Sequence, residues 1–137
     1  MKNKLLYISA TMCLTLFNVA NADDNFLCLH NERANKYADA IHYCNLACNL
    51  NNNGNLCALL GALYDEQLHD YTRSIRAYEK SCYLKSSMGC FNLAMFYYSG
   101  DGVRQNKSIA KEYFGRACDY GLQTGCNNYR DLSKKGY

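Results

Sequence analysis

The sequence predicts an all-α fold: a short α/α superhelical repeat array of helix hairpins, with a disulfide in each repeat. Three observations predict it. Cysteines come in pairs, Cys48/Cys57, Cys82/Cys90 and Cys118/Cys126, spaced nine, eight and eight residues apart. The pairs recur at a near-fixed period, 33 residues from Cys57 to Cys90 and 36 from Cys90 to Cys126. A period in the thirties marks stacked helix hairpins. The apolar residues between pairs repeat at helical spacing, and none of the 137 residues is a proline.

The first residues read as an address. Lys2 and Lys4 give a basic start, Leu5 to Ala20 is largely apolar, and Ala20-Asn21-Ala22 is a small-residue cleavage site ahead of Asp23 and Asp24. This is the layout of a secretory signal peptide over 1–22, cleaved after Ala22. The apolar stretch is short for a membrane span and is broken by Ser9, Thr11 and Thr15, so no membrane anchor is expected. Cys13 follows Met12 rather than a small residue and is followed by more apolar sequence; it is read as part of the leader, not as a lipid-attachment site. The expected location is periplasmic or secreted.

Removal of 1–22 leaves 115 residues, 13 basic and 12 acidic, with eight cysteines. No basic stripe remains for nucleic acid. An even cysteine count in an exported small domain implies a disulfide framework. A structural zinc site would need closely spaced ligands. No two cysteines are two apart, and His30, His42 and His69 fall at no ligand-like spacing, so no metal and no cofactor are expected.

The expected units run over about 24–56, 57–89 and 90–125, with a capping helix at 126–137, all within a single domain from 23 to 137. Each unit opens on a first helix. Cys57-Ala-Leu-Leu-Gly-Ala-Leu-Tyr64 and Cys90-Phe-Asn-Leu-Ala-Met-Phe-Tyr97 place cysteine, leucine, a small residue and tyrosine on one face. Gly61 and Ala94 share the small slot, which lets a neighbouring helix come close. The second helices align backward from the next cysteine: Ala40/Tyr43/Cys44/Ala47/Cys48, Ser74/Ala77/Tyr78/Ser81/Cys82 and Ala110/Tyr113/Phe114/Ala117/Cys118. Aromatics of one layer can fill gaps left by small residues in the next, so these stripes read as core.

Within a unit the chain turns at Tyr98-Ser-Gly-Asp-Gly-Val103. Gly100 suits the left-handed end of a helix and Val103 the apolar contact that accompanies it. The equivalent turn after Tyr64 has no glycine and is three residues shorter, so it must be built differently. Between units the linkers are Tyr83 to Gly89 and Asp119 to Gly125. The flanking cysteines then end one helix and begin the next, antiparallel one, close enough to bridge. Each short loop contributes about 2.5 kcal/mol on the chain-entropy estimate, which matters in an array this small. Eight cysteines allow 105 pairings; the repeat selects Cys48–Cys57, Cys82–Cys90 and Cys118–Cys126. Elimination leaves Cys28–Cys44, with Cys44 in the slot that Tyr78 and Phe114 occupy in later units.

Ala117-Cys-Asp-Tyr-Gly-Leu-Gln-Thr-Gly-Cys126, Cys90-Phe-Asn-Leu-Ala-Met-Phe-Tyr-Tyr-Ser-Gly-Asp-Gly-Val103 and Ala110-Lys-Glu-Tyr-Phe114 resemble the Sel-like repeat, and most closely its exported cysteine-rich, Hcp-type branch. The resemblance covers most of 36–130. The first join departs from it, with one extra residue and Leu56 where Gly89 and Gly125 stand later. It implies a right-handed superhelix related to tetratricopeptide arrays, and a protein-interaction scaffold whose first helices line the concave wall. Some of this branch carry a β-lactamase or penicillin-binding label, so a β-lactam or cell-wall fragment is the alternative ligand.

Two sets of site residues follow. Counted from the first-helix cysteine, positions two and six on point away from the face already committed to packing. They are Leu59 and Leu63, Asn92 and Phe96, and Asn128. An exposed Leu63/Phe96 patch flanked by amides is the mix expected of a recognition surface for another protein. For β-lactam chemistry, Ser108-Ile-Ala-Lys111 has the spacing of a serine nucleophile with a lysine one turn on. No Ser-Asp-Asn or Lys-Thr-Gly follows it, so the pair reads as solvated surface and no catalytic residue is expected.

Overall fold

The computed structural model describes residues 24–137; the expected leader, its cleavage after Ala22 and Cys13 lie outside them. The described residues form helices and no strands. A first helix, α1, covers described residues 24–33. It is followed by α2 (Tyr37–Leu50), α3 (Gly54–Glu66), α4 (Tyr71–Tyr83), α5 (Ser87–Ser99), α6 (Lys107–Asp119) and α7 (Gln123–Lys134). From α2 on, consecutive helices pack on one another, and α3 also touches α5 one unit on. None of the described helices is long and apolar enough to cross a membrane.

The starts of α3, α4 and α6 are set by side-chain caps. The Asn53 carboxamide accepts from the Asn55 and Leu56 amides, Asp70 from the Arg73 amide, and Asn106 from the Ile109 amide. Each satisfies donors that a helix start leaves without partners. The Arg73 amide, and then its guanidinium, hold the Asp70 carboxyl below its ordinary value.

The two hairpin turns solve one problem in two ways. After α5, Gly100 takes φ 90° and donates to the Phe96 carbonyl at 2.8 Å. Val103 then packs against the Ile75, Tyr78, Leu93 and Phe96 cluster. After α3 the left-handed residue is His69, at φ 51°, and the Asp70 amide reaches back to the Tyr64 carbonyl at 2.9 Å. The glycine-free turn is thus closed by a histidine in a conformation that costs an L-residue about 1–2 kcal/mol.

All four expected disulfides are formed, Cys28–Cys44 within the first hairpin and Cys48–Cys57, Cys82–Cys90 and Cys118–Cys126 at the joins, with Cα–Cα separations of 4.7, 4.8, 4.5 and 4.6 Å. Close approach explains the glycine before the cysteine. A Cβ on Gly89 would stand 2.1 Å from Ser81 Oγ, and one on Gly125 2.9 Å from the Phe114 carbonyl oxygen. Leu56 is buried at the same place in the first join, the join that carries the extra residue.

The expected small–aromatic–small face is the core. Ser74, Ala77, Tyr78, Ser81 and Cys82 are all buried, as are Ala40, Cys44, Ala47 and Cys48. Cys28 and Cys44 are fully enclosed where later units hold Tyr78 and Phe114. Phe114 packs on Phe91 with ring centroids 5.4 Å apart and beneath Ala94 and Leu132. Ser81 meets its burial by donating to the Gly54 carbonyl at 2.6 Å, as a buried hydroxyl must.

Candidate interaction surface

The first helices α3, α5 and α7 carry the candidate surface, and helical geometry assigns each of their faces. At 100° per residue, a side chain three, four or seven after the cysteine lies within 60° of it. Leu60, Gly61 and Tyr64 on α3, and Leu93 and Ala94 on α5, are buried accordingly. Position six lies a further 60° round and is also buried: Leu63 is 4% exposed, Phe96 6% and Leu132 3%. The expectation that Leu63 and Phe96 form an exposed patch is therefore corrected. Phe96 meets Tyr71 edge-to-face at 5.9 Å and lies 5.9 Å from Tyr78. The buried arc is wide because a first helix is flanked by second helices on both sides and by the neighbouring first helix.

The open arc runs through positions minus two, plus two, plus five and plus nine. On α3 these are Asn55, Leu59, Ala62 and Glu66; on α5, Met88, Asn92, Met95 and Ser99; on α7 and just past it, Thr124, Asn128, Asp131 and Lys135. All are exposed or half-buried. Three of the expected residues, Leu59, Asn92 and Asn128, thus lie on one stripe, whereas Leu63 and Phe96 lie beneath it. Between α3 and α5 the stripe hollows into a groove of about 500 Å³ walled by Asn55, Leu59, Ala62, Met88 and Asn92. Between α5 and α7 a smaller cavity of about 210 Å³ is lined by Met95, Tyr98, Asn128 and Asp131 over Phe114 and Leu132. Met88 and Met95, 49% and 41% exposed, were missed from the sequence; continuing the helical arithmetic to minus two and plus five finds both.

The groove's polar groups are tied to the core. Burial, and then the charges of Asp65 and Glu66, push the Tyr78 phenol well above its ordinary pKa, with the polar side chains of Asn92 and Ser74 acting the other way. Ser86 Oγ donates to Asn55 Oδ1 at 2.9 Å. The Asn55 amide is therefore held in place at the start of the open stripe, with Leu59 and Met88 beside it. Methionine adapts its shape to irregular partners.

Ser108 and Lys111, the spaced pair on α6, have separate surroundings. Ser108 is exposed in the first turn of α6, and the Lys111 ammonium donates to the main-chain oxygen of Tyr137. Among the described residues no three His, Cys, Asp or Glu side chains gather to hold a metal ion, and the eight cysteines are all in disulfides.

No family model matches the chain. Relatives match in pieces. A Helicobacter pylori protein named "Putative beta-lactamase HcpC" is 49% identical over 43 residues, 31% of this chain and 14% of its own length. Another named "Putative beta-lactamase HcpD" is 38% identical over 61 residues, 40% of this chain and 20% of its own. The matched stretches thus span only a small part of those relatives. The solved structure of Helicobacter pylori cysteine rich protein B (hcpB) superposes with a TM-score of 0.66 at 29% identity, over 85% of this chain and 92% of that one. The chain thus resembles the Hcp-type Sel-like repeat proteins in fold and in these stretches of sequence. Within it a cysteine pair marks each join, and the open stripe recurs on the first helices. Helical repeat arrays of this kind are interaction scaffolds, since stacked units expose an extended binding face.

Proposed function

We propose that this Hcp-type repeat protein works outside the cytoplasm as a protein-binding module, as a scaffold, an inhibitor or an immunity partner to a toxin. It grips its partner along the stripe from Asn55 to Lys135. The observation that carries this reading is the α3/α5 groove of about 500 Å³, whose wall alternates adaptable apolar side chains, Leu59 and Met88, with the amides Asn55 and Asn92. Such a mixed wall fits protein recognition better than a small-molecule site, which would enclose its ligand. Four disulfides fit an oxidising compartment, the periplasm or the extracellular medium. In this reading residues 1–22 are removed and 23–137 act as a single domain of stacked hairpins. Intact mass of the exported protein tests that, and a mass retaining Cys13 overturns it. Leu59→Asp and Met88→Asp test the groove. Both should abolish capture of the native partner while circular dichroism stays unchanged; capture that survives both overturns the reading.

A second reading, binding or hydrolysis of β-lactams, draws support from the name of HcpC. A chromogenic β-lactam tests it directly.

A further inference from the structure

A third recess lies where α3 and α5 end. It holds about 180 Å³ and is lined by Asp65, Tyr71, Met95, Phe96, Ser99 and Asp101. Its floor is aromatic, the edge-to-face pair Tyr71 and Phe96, with Phe96 buried and Tyr71 38% exposed. Its walls are acidic. Asp65 stands half-buried in the last turn of α3 and Asp101 exposed in the turn after α5. The carbonyl ends of both helices add partial negative charge at the same place.

Arg73, at the start of α4, is engaged elsewhere. The Arg73 Nε is bonded to Asp70 at 2.7 Å, and its guanidinium lies over Tyr64, 4.6 Å from the ring centre. The Asp65 carboxyl is pushed up by burial; His69 opposes the shift and the charge of Asp101 adds to it. Two carboxylates beside an aromatic floor, at the end of two helix dipoles, make a site for a cation on an apolar stem. Arginine suits it best: the stem lies on Met95, the guanidinium meets the carboxylates, and the Tyr71 ring supplies a cation–π contact.

We propose that this recess binds a basic side chain, arginine for preference, of the protein partner that lies along the first-helix groove. The inference rests on the groove reading above. Met95 is shared with the next cavity along, between α5 and α7. Neighbouring helices lie about 8–10 Å apart and an extended chain advances about 3.3 Å per residue. The partner should therefore carry an apolar residue about three positions from the basic one.

The test uses the exported, oxidised protein and three blocked hexapeptides, Ala-Xaa-Ala-Ala-Leu-Ala with Xaa as arginine, citrulline or glutamate. Amide shifts are read by NMR. The arginine peptide should move the signals of Asp65, Tyr71, Ser99 and Asp101, and bind at least about fivefold more tightly than its neutral citrulline twin. Asp101→Lys, a change in an exposed turn, should abolish that preference and favour the glutamate peptide; Asp65→Asn should weaken it. Equal binding of the arginine and citrulline peptides, shifts confined elsewhere, or no arginine-dependent shift at millimolar peptide would overturn the proposal. Partner capture separates the two readings. If Leu59→Asp abolishes capture while Asp65→Asn and Asp101→Lys leave it intact, the basic anchor falls and the groove stands. If capture survives both Leu59→Asp and Met88→Asp while the arginine peptide still binds at the recess, the groove reading falls and the preference of the recess for a basic side chain stands.

Discussion

Gly61 of α3 and Tyr78 of α4 are fitted face to face: a Cβ at Gly61 would stand 2.7 Å from Tyr78 Cε1 and 2.8 Å from Cδ1. The ring fills the space that the missing side chain leaves. One unit on, the same slots hold Ala94 and Phe114, packed in one cluster. Each pair keeps helix and helix at its own distance. Gly61→Ala is expected to cost about 1–3 kcal/mol, since the ring must shift inside a packed core. A smaller residue at Tyr78 should recover part of that, so Gly61→Ala with Tyr78→Leu should lose less than the two single changes added together. Thermal unfolding of the four proteins in the cycle measures this; strict additivity would show that the two residues do not share the space.

Phe96 and its neighbour Met95 separate stability from binding. Phe96 is 6% exposed between Tyr71 and Tyr78, while Met95 is 41% exposed on the open stripe. Phe96→Ala should therefore destabilise by about 3–5 kcal/mol. Met95→Ala should stay within about 0.5 kcal/mol of the parent in stability and weaken partner binding. Chemical denaturation paired with partner capture distinguishes them, and a large stability loss in Met95→Ala would contradict the assignment of faces.

The fold was legible because the repeat restates it. Cysteine spacing, the Gly61/Ala94 slot and the Tyr78/Phe114 slot each recur, so every reading has a second copy to check it. The site was only partly legible. Position two, held by Leu59, Asn92 and Asn128, could be placed from helical angle alone. Position six could not, because its burial depends on how many neighbours surround a first helix. Leu63 and Phe96 are covered by contacts with second helices and with the adjoining first helix, and these are set by three-dimensional packing. The recess between Asp65 and Asp101 was not legible either, since it joins residues 36 apart through a hairpin turn that lacks its glycine in one unit.

Ser108→Ala tests the β-lactam alternative. Lys111 donates to the Tyr137 main chain and Ser108 is exposed in the first turn of α6, so the lysine is bonded elsewhere than to the hydroxyl. Hydrolysis of a chromogenic β-lactam should stay at the rate of buffer, with or without Ser108. Turnover that disappears in Ser108→Ala, with the helical signal retained, would restore the serine as a nucleophile and displace the binding-module reading.

The four disulfides should not reduce together. Six of the eight half-cystines are between 0% and 4% exposed, whereas Cys118 and Cys126 are half-buried. Attack by a thiolate requires access to sulfur. Dithiothreitol under native conditions should open Cys118–Cys126 first, leaving the other three intact until the protein unfolds. The loss should be about 2.5 kcal/mol, felt mainly by α7, whose buried contacts are Gly125 and Leu132. Alkylation and peptide mass mapping over time would show the order. Simultaneous loss of all four would mean that global unfolding, not exposure, controls reduction.

Tyr78 gives the fold an alkaline limit. Burial is the main cause that raises its phenol above the ordinary value of 10.0; Tyr113 is raised for the same reason, with its stacked neighbour Tyr97 adding to it. The sign follows from linkage. A phenol whose folded pKa lies above its unfolded one holds its proton more tightly in the folded state. Its contribution is complete below pH 10 or so and is lost as pH rises beyond the unfolded value toward the folded one. Unfolding free energy should therefore fall above about pH 10, and fall less steeply in Tyr78→Phe, which has no proton to lose. Absorbance titration of the phenolates should show Tyr78 ionising late, together with the loss of helical signal. If the Tyr78→Phe protein loses stability with pH as steeply as the parent, the alkaline limit belongs to another group.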